Sequence, residues 1–485
     1  MSSKIKTLAI TIPAFAALLL ATACQSAYRQ HADRVTSDYR DGLYQQAAAA
    51  AASGAAARQS DTSERVIYNL EAARTAQVAG DFESSKAHYE LAYEDIRPYL
   101  DTKAQYTVTE GVATTAVNQA MATYKATPGE RIMASSLNSI NYLATGDREG
   151  ARLELNRARD WQDDAIKRYA KEIEAEQRAV EQDAERDDVA DAVTDDVPDN
   201  MRSYYRNLDR MTGYADYQNP FTSHLRAVYL LTNAADDGDR DNARFDFRQC
   251  VQANPDCEPA VREDLLLLES SQRYAVPPTT WVYFMTGRAP HYEELEIVVP
   301  VPVQEVPTAK AAFPVLRTNG DELRYLEVKS QGGGDATRTV SLVDMDSVVG
   351  SEFKTRLPII ISQEIASAAA KAAATYGMTE GMGDWGTVMG TIYQQASAEA
   401  DLRSWRTMPK QVQVARVPTP TDGRLVLTGP GGRDLGTVSV VPGESNIVVV
   451  TMPSTMAIQP SVVTVQMTGT PVQPAIRSTE ANQRF

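Results

Sequence analysis

Three segments in the first half of the chain share one spacing, and this spacing restricts the fold more than any other feature. Each segment contains Gly-Asp, a small residue five positions after the glycine, an apolar residue at nine and a second small residue at twelve. Glycine permits a positive φ between two helices, and the aspartate after it can cap the next helix. Small residues let two helices approach closely, so the pattern predicts packed helical hairpins. The residues are Gly80, Asp81, Ser85, Tyr89 and Ala92; Gly146, Asp147, Ala151, Leu155 and Ala158; and Gly238, Asp239, Ala243, Phe247 and Cys250.

The spacing resembles the second helix of tetratricopeptide repeats. Repeats of about 34 residues stack because each one buries an apolar face of its neighbour. The separations here are irregular, 66 residues from Gly80 to Gly146 and 92 from Gly146 to Gly238. The sequence therefore predicts a divergent tetratricopeptide-like helical domain over residues 63–275, in which the glycines and aspartates of the turns are structural.

The N-terminus carries two lysines, a short apolar run and small residues before a single cysteine, Cys24. This order is typical of an export signal, and the run is shorter than the ~20 apolar residues that a membrane-spanning helix needs. The residues Ala-Thr-Ala before Cys24 resemble the lipobox of bacterial lipoproteins, which implies acylation of that cysteine. We therefore expect a signal peptide over 1–23 and a lipid-anchored helical segment over 24–62. The alternative is an ordinary secreted protein cleaved after Ala23.

The charge of the chain restricts its partners. Removing residues 1–23, which contain two lysines and no acid, changes the formal charge from −16 to −18. Nucleic acid and anionic headgroups repel a protein with this negative charge, and neither is therefore expected as a partner. Membrane contact is expected only through the N-terminal lipid. Gln25, the residue after the lipidated cysteine, points to the bacterial outer membrane, with the protein facing the periplasm.

Two further cysteines, Cys250 and Cys257, stand close together in the sequence. In an oxidising compartment such a pair usually forms a disulfide. Asn254-Pro255 is expected to end the helix and reverse the chain, which can bring the two Cα atoms within the ~7 Å that a bond tolerates. The alternative is that Cys250 is a buried small residue and Cys257 is a free thiol on the surface.

After residue 275 the pattern changes from helices to strands. Alternating or continuous runs of β-branched residues between glycine and proline turns predict a β-rich domain over 276–458, interrupted by an alanine-rich helix at about 358–405. The polar end, 459–485, is expected to be a flexible tail. The predicted fold class is therefore α+β and multidomain, with an N-terminal tetratricopeptide-like helical array followed by a smaller β-rich module with an inserted helix.

The sequence contains no recognisable catalytic or metal-binding motif. A glycine-rich phosphate loop, a nucleophile elbow and a pair of metal-spaced histidines are all missing. We therefore predict a protein that is not an enzyme, with no catalytic residues, no metal and no cofactor.

Several longer segments together resemble a family of uncharacterised proteobacterial outer-membrane lipoproteins with tetratricopeptide-like repeats. They are the lipobox, NYLATGDREGARLELNRA, NPFTSHLRAVYLL, FMTGRAP, AAFPVL and DLRSWRTMP. The resemblance implies a lipid-anchored periplasmic scaffold that binds envelope proteins through the helical array, with a link to cell-envelope or peptidoglycan assembly. Two alternatives stay open: an envelope glycan-binding protein or enzyme that acts through the β-rich domain, and a structural component of a larger envelope complex.

Overall fold

A computed structural model of the chain describes residues 28–101, 123–186, 197–198, 201–214, 217–270, 275–301, 308–382, 399–469 and 475–477. Helices come first and strands dominate afterwards, which confirms the predicted α+β class with an N-terminal helical array. The helices of the array are α1 (28–40), α2 (Tyr44–Ala57), α3 (Arg65–Ala79), α4 (Phe82–Asp101), α5 (Pro128–Ala144), α6 (Arg148–Arg186), α7 (Pro220–Thr232), α8 (Asp237–Ala253) and α9 (Glu258–Glu269). A 3₁₀ segment, Arg202–Arg210, lies between α6 and α7.

The three segments with the shared spacing form three helical hairpins, α3/α4, α5/α6 and α7/α8. The first two turns have the geometry that the sequence predicts. Gly80 ends α3 with φ 86°, and Asp81 accepts a hydrogen bond from Ser84 N–H at 3.1 Å. Gly146 has φ 78°, and the N–H of Gly150 donates to the Asp147 carboxylate at 2.8 Å.

The third turn differs from the prediction. Gly238 is the second residue of α8, and Asp236 rather than Asp239 caps this helix, accepting the Asp239 N–H at 2.9 Å. Asp239 instead accepts two hydrogen bonds from the Arg152 guanidinium on α6, at 2.9 and 2.7 Å. Asp236 caps the helix two residues before the glycine, so the third Gly-Asp pair lies inside α8 and does not form the turn. Its aspartate instead contacts Arg152 of the neighbouring hairpin.

The small and apolar positions of the pattern are buried in all three hairpins. The nine residues at offsets five, nine and twelve are each at most 1% exposed. Close helix contact therefore accounts for the spacing. The first helix of each hairpin is buried more completely than in an open array: every residue from Val66 to Ala79 in α3 and from Pro220 to Leu231 in α7 is buried. Another part of the chain must therefore cover the face of the array that these first helices form, here called its inner face.

The strands that follow are β1 (Thr279–Thr286), β2 (His291–Pro300), β3 (Thr308–Arg317), β4 (Glu327–Ser330), β5 (Thr337–Arg338), β6 (Val340–Asp344), β7 (Gln411–Pro418), β8 (Arg424–Gly429), β9 (Arg433–Ser439), β10 (Asn446–Met452), β11 (Ser461–Gln466) and β12 (Ala475–Arg477). They form a six-stranded sheet in the order β12-β11-β10-β1-β7-β6, a four-stranded sheet in the order β5-β4-β8-β9 and the separate hairpin β2-β3. The pair β1–β10 is parallel, and the other pairs are antiparallel.

Strand β1 shows how the layers are arranged, because alternate residues of a strand point to opposite faces. Trp281, Tyr283 and Met285 belong to a core cluster that contains residues of the array helices. Val282 and Phe284 belong to a cluster shared with the four-stranded sheet. The six-stranded sheet therefore lies between the helical array and the smaller sheet, and the helical and β regions share one apolar core.

A second segment also covers the inner face of the array. Residues 399–410, here called the strap, run between the end of the α10 region and β7 without helix or strand structure. Trp405 of the strap is 1% exposed and packs edge-on against Tyr89 of α4, with ring centroids 6.3 Å apart. Glu71 of α3 accepts the Arg406 backbone N–H at 2.6 Å. The strap and the six-stranded sheet together fill the surface that would be concave in an open repeat.

Helix α10 (Met345–Met382) begins earlier than the helix predicted at about 358–405. Asp344 accepts the Asp346 N–H at 2.9 Å at the start of the helix, and Pro358, where the predicted helix begins, lies inside it. The predicted end is also wrong, because residues 399–405 belong to the strap; residues 383–398 lie outside the described part of the chain. The hairpin β2-β3 and the 3₁₀ segment pack on α10 in a second apolar cluster.

The predicted flexible tail, 459–485, is ordered over much of its described part. Strand β11 pairs with β10 and is mostly buried, and β12 pairs with β11. The run of consecutive β-branched residues in SVVTVQ favours a strand in the sheet more strongly than the polar residues around it oppose one. Within the described residues, none of the helices combines the length and apolar character that crossing a membrane requires.

Candidate functional site

The sequence-predicted site residues do not converge on one place. Cys24 lies outside the described residues, and the six residues of the Gly-Asp pairs occupy separate hairpins, as described above. Cys250 and Cys257 do meet: both are fully buried, and their Sγ atoms are 3.0 Å apart. The structure holds them as two thiols rather than as a disulfide, so the bond stays a prediction.

We expect the pair to be oxidised in protein from the periplasm, because helix α8 ends at Ala253 and the chain reverses through Pro255–Cys257 as predicted. Burial raises the pKa of the Cys250 thiol, so a reactive thiolate is rare in the folded protein and the bond should form during folding. Mass spectrometry of unreduced, alkylated protein tests this. Two alkylated thiols at these positions would exclude the bond.

A cleft of about 260 Å³ opens between the N-terminus of α5, the described residues of the connection to α7 (213–214 and 217–219) and one face of α10. We call it the Glu352 cleft, after the buried acid in its wall. Its other lining residues are mixed: Tyr214, Tyr217 and Gln218 on the connection are aromatic or polar, and Ile132 and Val348 are apolar. Polar groups that converge in a concave site are the usual feature of a ligand pocket.

Helix α5 begins at this cleft with a capping box. Thr127 accepts the Glu130 N–H at 3.4 Å, and the Glu130 carboxylate accepts the Thr127 N–H at 2.9 Å. Gly129, in the first turn of α5, lets α10 come close. A Cβ atom at Gly129 would lie 2.8 Å from Val348 Cγ1 and 3.2 Å from Glu352 Oε1. The absence of a side chain at Gly129 therefore lets the Glu352 carboxylate of α10 reach the backbone N–H of Gly129 in the first turn of α5.

Glu352 uses only part of its hydrogen-bonding capacity. Its Oε1 accepts the Gly129 N–H at 2.7 Å, and its Oε2 is buried and has no hydrogen-bond partner among the described residues. Burial raises the pKa of Glu352 to about 7, and the nearby Glu130 carboxylate acts in the same direction. A buried acid with one unpartnered oxygen in the wall of a cleft and a perturbed pKa is a candidate for ligand contact.

Glu130 is a useful contrast to Glu352. It is also buried, but both of its oxygens accept the Tyr124 hydroxyl, at 2.6 and 2.8 Å, and the backbone N–H of Trp405 donates to it at 3.3 Å. Its bonds join α5 to the strap. Contacts within the fold therefore use both oxygens of Glu130, whereas Oε2 of Glu352 has no hydrogen-bond partner among the described residues.

The aromatic wall of the cleft contains a strained residue. Tyr217 has φ 53°, a left-handed conformation that costs a non-glycine residue of order 1–3 kcal/mol. Its ring packs edge-on against Tyr169 of α6, with centroids 5.2 Å apart. Strained residues of this kind occur often at ligand sites, where the surrounding structure fixes them.

The hydroxyl groups on the α10 side of the cleft are oriented to accept hydrogen bonds. Ser351 Oγ donates to the Val348 carbonyl at 2.9 Å, and Thr355 Oγ1 donates to the Ser351 carbonyl at 2.9 Å. With its hydrogen used inside the helix, each hydroxyl retains lone pairs for a ligand. These two hydroxyl oxygens and the unpartnered Oε2 of Glu352 make this face of α10 a surface of hydrogen-bond acceptors. Such a surface matches a ligand rich in hydroxyl or ammonium donors.

Few features of the sequence indicate this cleft. The run Thr127-Pro128-Gly129-Glu130 is a capping-box pattern, which could have located the start of α5. Nothing in the sequence around Glu352 distinguishes it from the many other acids of the chain. Within the described ranges, no group of three or more histidine, cysteine, aspartate or glutamate side chains is arranged to hold a metal ion.

Comparisons with known proteins identify no relative: no family model, no curated protein sequence and no solved structure matches this chain. The function therefore has to be inferred from the geometry of the cleft itself.

Proposed function

We propose that this protein is a lipid-anchored envelope protein, at the periplasmic face of the outer membrane, that binds a sugar residue of an envelope glycan in the Glu352 cleft. The observation that carries the proposal is the buried Oε2 of Glu352, which has no hydrogen-bond partner among the described residues and lies in the wall of a cleft that Tyr214 and Tyr217 also line. An unsatisfied buried acceptor costs free energy that a ligand hydroxyl can recover.

A sugar suits this cleft for two reasons. Its hydroxyl groups can donate to Glu352 Oε2 and to the acceptor lone pairs of Ser351 and Thr355. Its apolar C–H face can pack on the rings of Tyr214 and Tyr217, which line the opposite wall. The half-buried amide of Gln218 supplies both a donor and an acceptor. The set of side chains thus offers hydrogen bonds at the rim of a ring and apolar contact on its face.

Binding without hydrolysis fits the acids that are present. Glycoside hydrolysis ordinarily uses two carboxyl groups on either side of the bond that breaks. Of the two buried acids at the N-terminus of α5, Glu130 is committed to Tyr124, Thr127 and the strap, so only Glu352 of this pair can contact a ligand. We therefore propose a binding protein rather than a glycosidase.

Isothermal titration of the full mature chain with soluble glycan strands released from peptidoglycan by an amidase tests the proposal. The wild type should bind these strands and not maltoheptaose. At pH 8, where Glu352 is ionised, Glu352→Gln replaces an acceptor oxygen by an N–H₂ donor and should weaken binding at least tenfold, as expected for loss of a charge-assisted hydrogen bond of about 1.5–3 kcal/mol. Glu83→Gln, at a carboxylate with 75% side-chain exposure on α4, is the matched control and should bind as the wild type does.

The proposal fails if the wild type does not bind the glycan strands, or if Glu352→Gln binds them as tightly as the wild type. A melting curve for each variant separates loss of binding from loss of folding. Because Glu352→Gln removes only a buried charge, its melting temperature should not fall.

The scaffold function remains a second proposal, through a different surface. The inner face of the array is filled by the sheet and the strap, so a protein partner would have to bind the outer face. Leu153 of α6 is 66% exposed there, and Phe245 of the neighbouring α8 is 47% exposed. In-cell crosslinking from a photoreactive residue at position 153, identified by mass spectrometry, tests this. Crosslinks that persist in a Phe245→Lys variant would argue against a shared docking surface.

The lipid anchor is tested separately. We expect labelled palmitate to enter the wild-type protein and not Cys24→Ser, because a lipobox cysteine is the acylated residue. Cys250→Ser is the control and should be labelled as the wild type is. Equal labelling of the wild type and Cys24→Ser would show that Cys24 does not carry the lipid.

A further inference from the structure

A second pocket shares no lining residue with the Glu352 cleft. It has a volume of about 170 Å³ and lies between α1, the turn that joins β1 to β2, and the strap. Three arginines from these three segments line it: Arg40, Arg288 and Arg406. We call it the arginine pocket. Two of the three belong to the runs FMTGRAP and DLRSWRTMP, which the sequence singled out and the Glu352 cleft does not use.

The guanidinium groups of the pocket have unused donors. Arg406 is 7% exposed; its Nη1 donates to Asp33 at 2.6 Å, and its Nε is buried without a partner among the described residues. Arg288 donates through Nη2 to Asp321 at 2.8 Å, and its Nε is likewise buried without such a partner. A buried donor left unsatisfied costs about 1–3 kcal/mol, which a ligand acceptor would remove.

The charge of the pocket wall is positive in a strongly acidic protein. The wall contains three guanidinium groups and one carboxylate, that of Asp33, which is 62% exposed at the rim. Arg40 and Arg288 are paired with Asp41 and Asp321, which lie outside the wall. His291 also lines the pocket; burial, and next the Arg406 guanidinium, lower its pKa. Each of the three guanidinium groups is already paired with a carboxylate, so the wall recognises a ligand through its unused N–H donors, which suit an anion that presents only acceptors.

We propose that the arginine pocket binds a phosphate-type oxyanion, either free phosphate or a phosphate monoester. A carboxylate presents two oxygens in one plane, which one bidentate arginine satisfies. A phosphate presents three or four oxygens in different directions, which matches guanidinium groups from three segments and the buried Thr36 hydroxyl, also without a partner among the described residues. The small volume admits the phosphate group itself and leaves any attached group outside.

Isothermal titration of the full mature chain with inorganic phosphate at low ionic strength tests this site. We expect binding by the wild type and about tenfold weaker binding by Arg40→Gln and by Arg288→Gln, since each removes a charge-assisted donor. Arg34→Gln is the matched control, because Arg34 is an exposed arginine on the same helix as Arg40 but outside the pocket wall. Glu352→Gln should bind phosphate as the wild type does, which separates this site from the glycan proposal.

Arg40 has a side chain that is 41% exposed, so Arg40→Gln decides the question even if Arg288→Gln folds poorly. The proposal would be overturned if the wild type bound neither free phosphate, nor glycerol phosphate, nor phosphatidic acid vesicles. Equal weakening by Arg34→Gln and Arg40→Gln would overturn it as well. Binding of glycerol phosphate identifies a soluble ester as ligand, and Arg40-dependent binding to the vesicles alone identifies a lipid headgroup.

Discussion

Replacing Trp405 by alanine should destabilise the protein by about 3–5 kcal/mol, the usual cost of deleting a large aromatic side chain from a core. Trp405 lies in the strap, is 1% exposed, and packs against Tyr89 inside the helical array. Its removal leaves a cavity between the array and the β region, which share a core. Urea denaturation followed by circular dichroism would measure the loss as a lower midpoint, with helices and strands unfolding together.

Two variants make this result specific. Trp405→Phe keeps the apolar contact and removes an indole N–H that is buried without a partner among the described residues, so it should cost less than about 1.5 kcal/mol. Phe245→Ala, at an aromatic residue 47% exposed on the outer face, should cost about 0.5–1 kcal/mol through its contact with Arg159. If Trp405→Ala were as mild as Phe245→Ala, the strap would not be part of the core, and the inner face of the array would be available to a partner.

The helical half could be predicted because its signals are local. A glycine at the end of α3, a small residue one turn and a half later and an apolar residue after it lie within one hairpin, and their roles follow from helix geometry. The third hairpin shows the limit of this reasoning. Asp236 provides an earlier cap than Asp239, so the same letters at the same spacing formed a different turn.

The filling of the array could not be predicted, because it depends on contacts between distant parts of the chain. The parallel pair of β1 and β10 joins Thr280 to Asn446, and the strap brings Arg406 to Glu71. No short-range pattern records such pairings. One indirect signal was present: α7 is apolar or small on almost every side, and a helix of this kind is buried on all faces.

The Glu352 cleft was missed for a related reason. Its walls come from residues near 129, 217 and 352, and a single glutamate among many acids has no distinguishing pattern in the sequence. What distinguishes Glu352 is the burial of its carboxylate and the absence of a partner for Oε2 among the described residues, which are properties of the folded chain. The arginine pocket could be predicted only in part. The runs FMTGRAP and DLRSWRTMP are recognisable in the sequence, but they do not indicate that their arginines lie in one pocket.

Glu352→Gln should become more stable relative to the wild type as the pH rises from 5 to 8, by roughly 2–3 kcal/mol. The pKa of Glu352 is raised to about 7 in the folded protein from an ordinary value of 4.5. Between these values the folded state holds a proton that the unfolded state has released, so the wild type loses stability as the pH rises, and above pH 7 the loss is complete. Glutamine does not titrate and is spared this loss.

Urea denaturation of both proteins at several pH values measures this difference, and the comparison cancels the histidines that both chains share. Glu83→Gln, at an exposed carboxylate, should follow the wild type at every pH. A constant difference between Glu352→Gln and the wild type from pH 5 to 8 would mean that the buried carboxylate is not held protonated. A variant that gains stability at pH 8 and loses the glycan would show the opposite preferences of folding and binding at one residue. In that case folding would favour a neutral side chain at this position, and the carboxylate would be retained for what it contacts in the cleft.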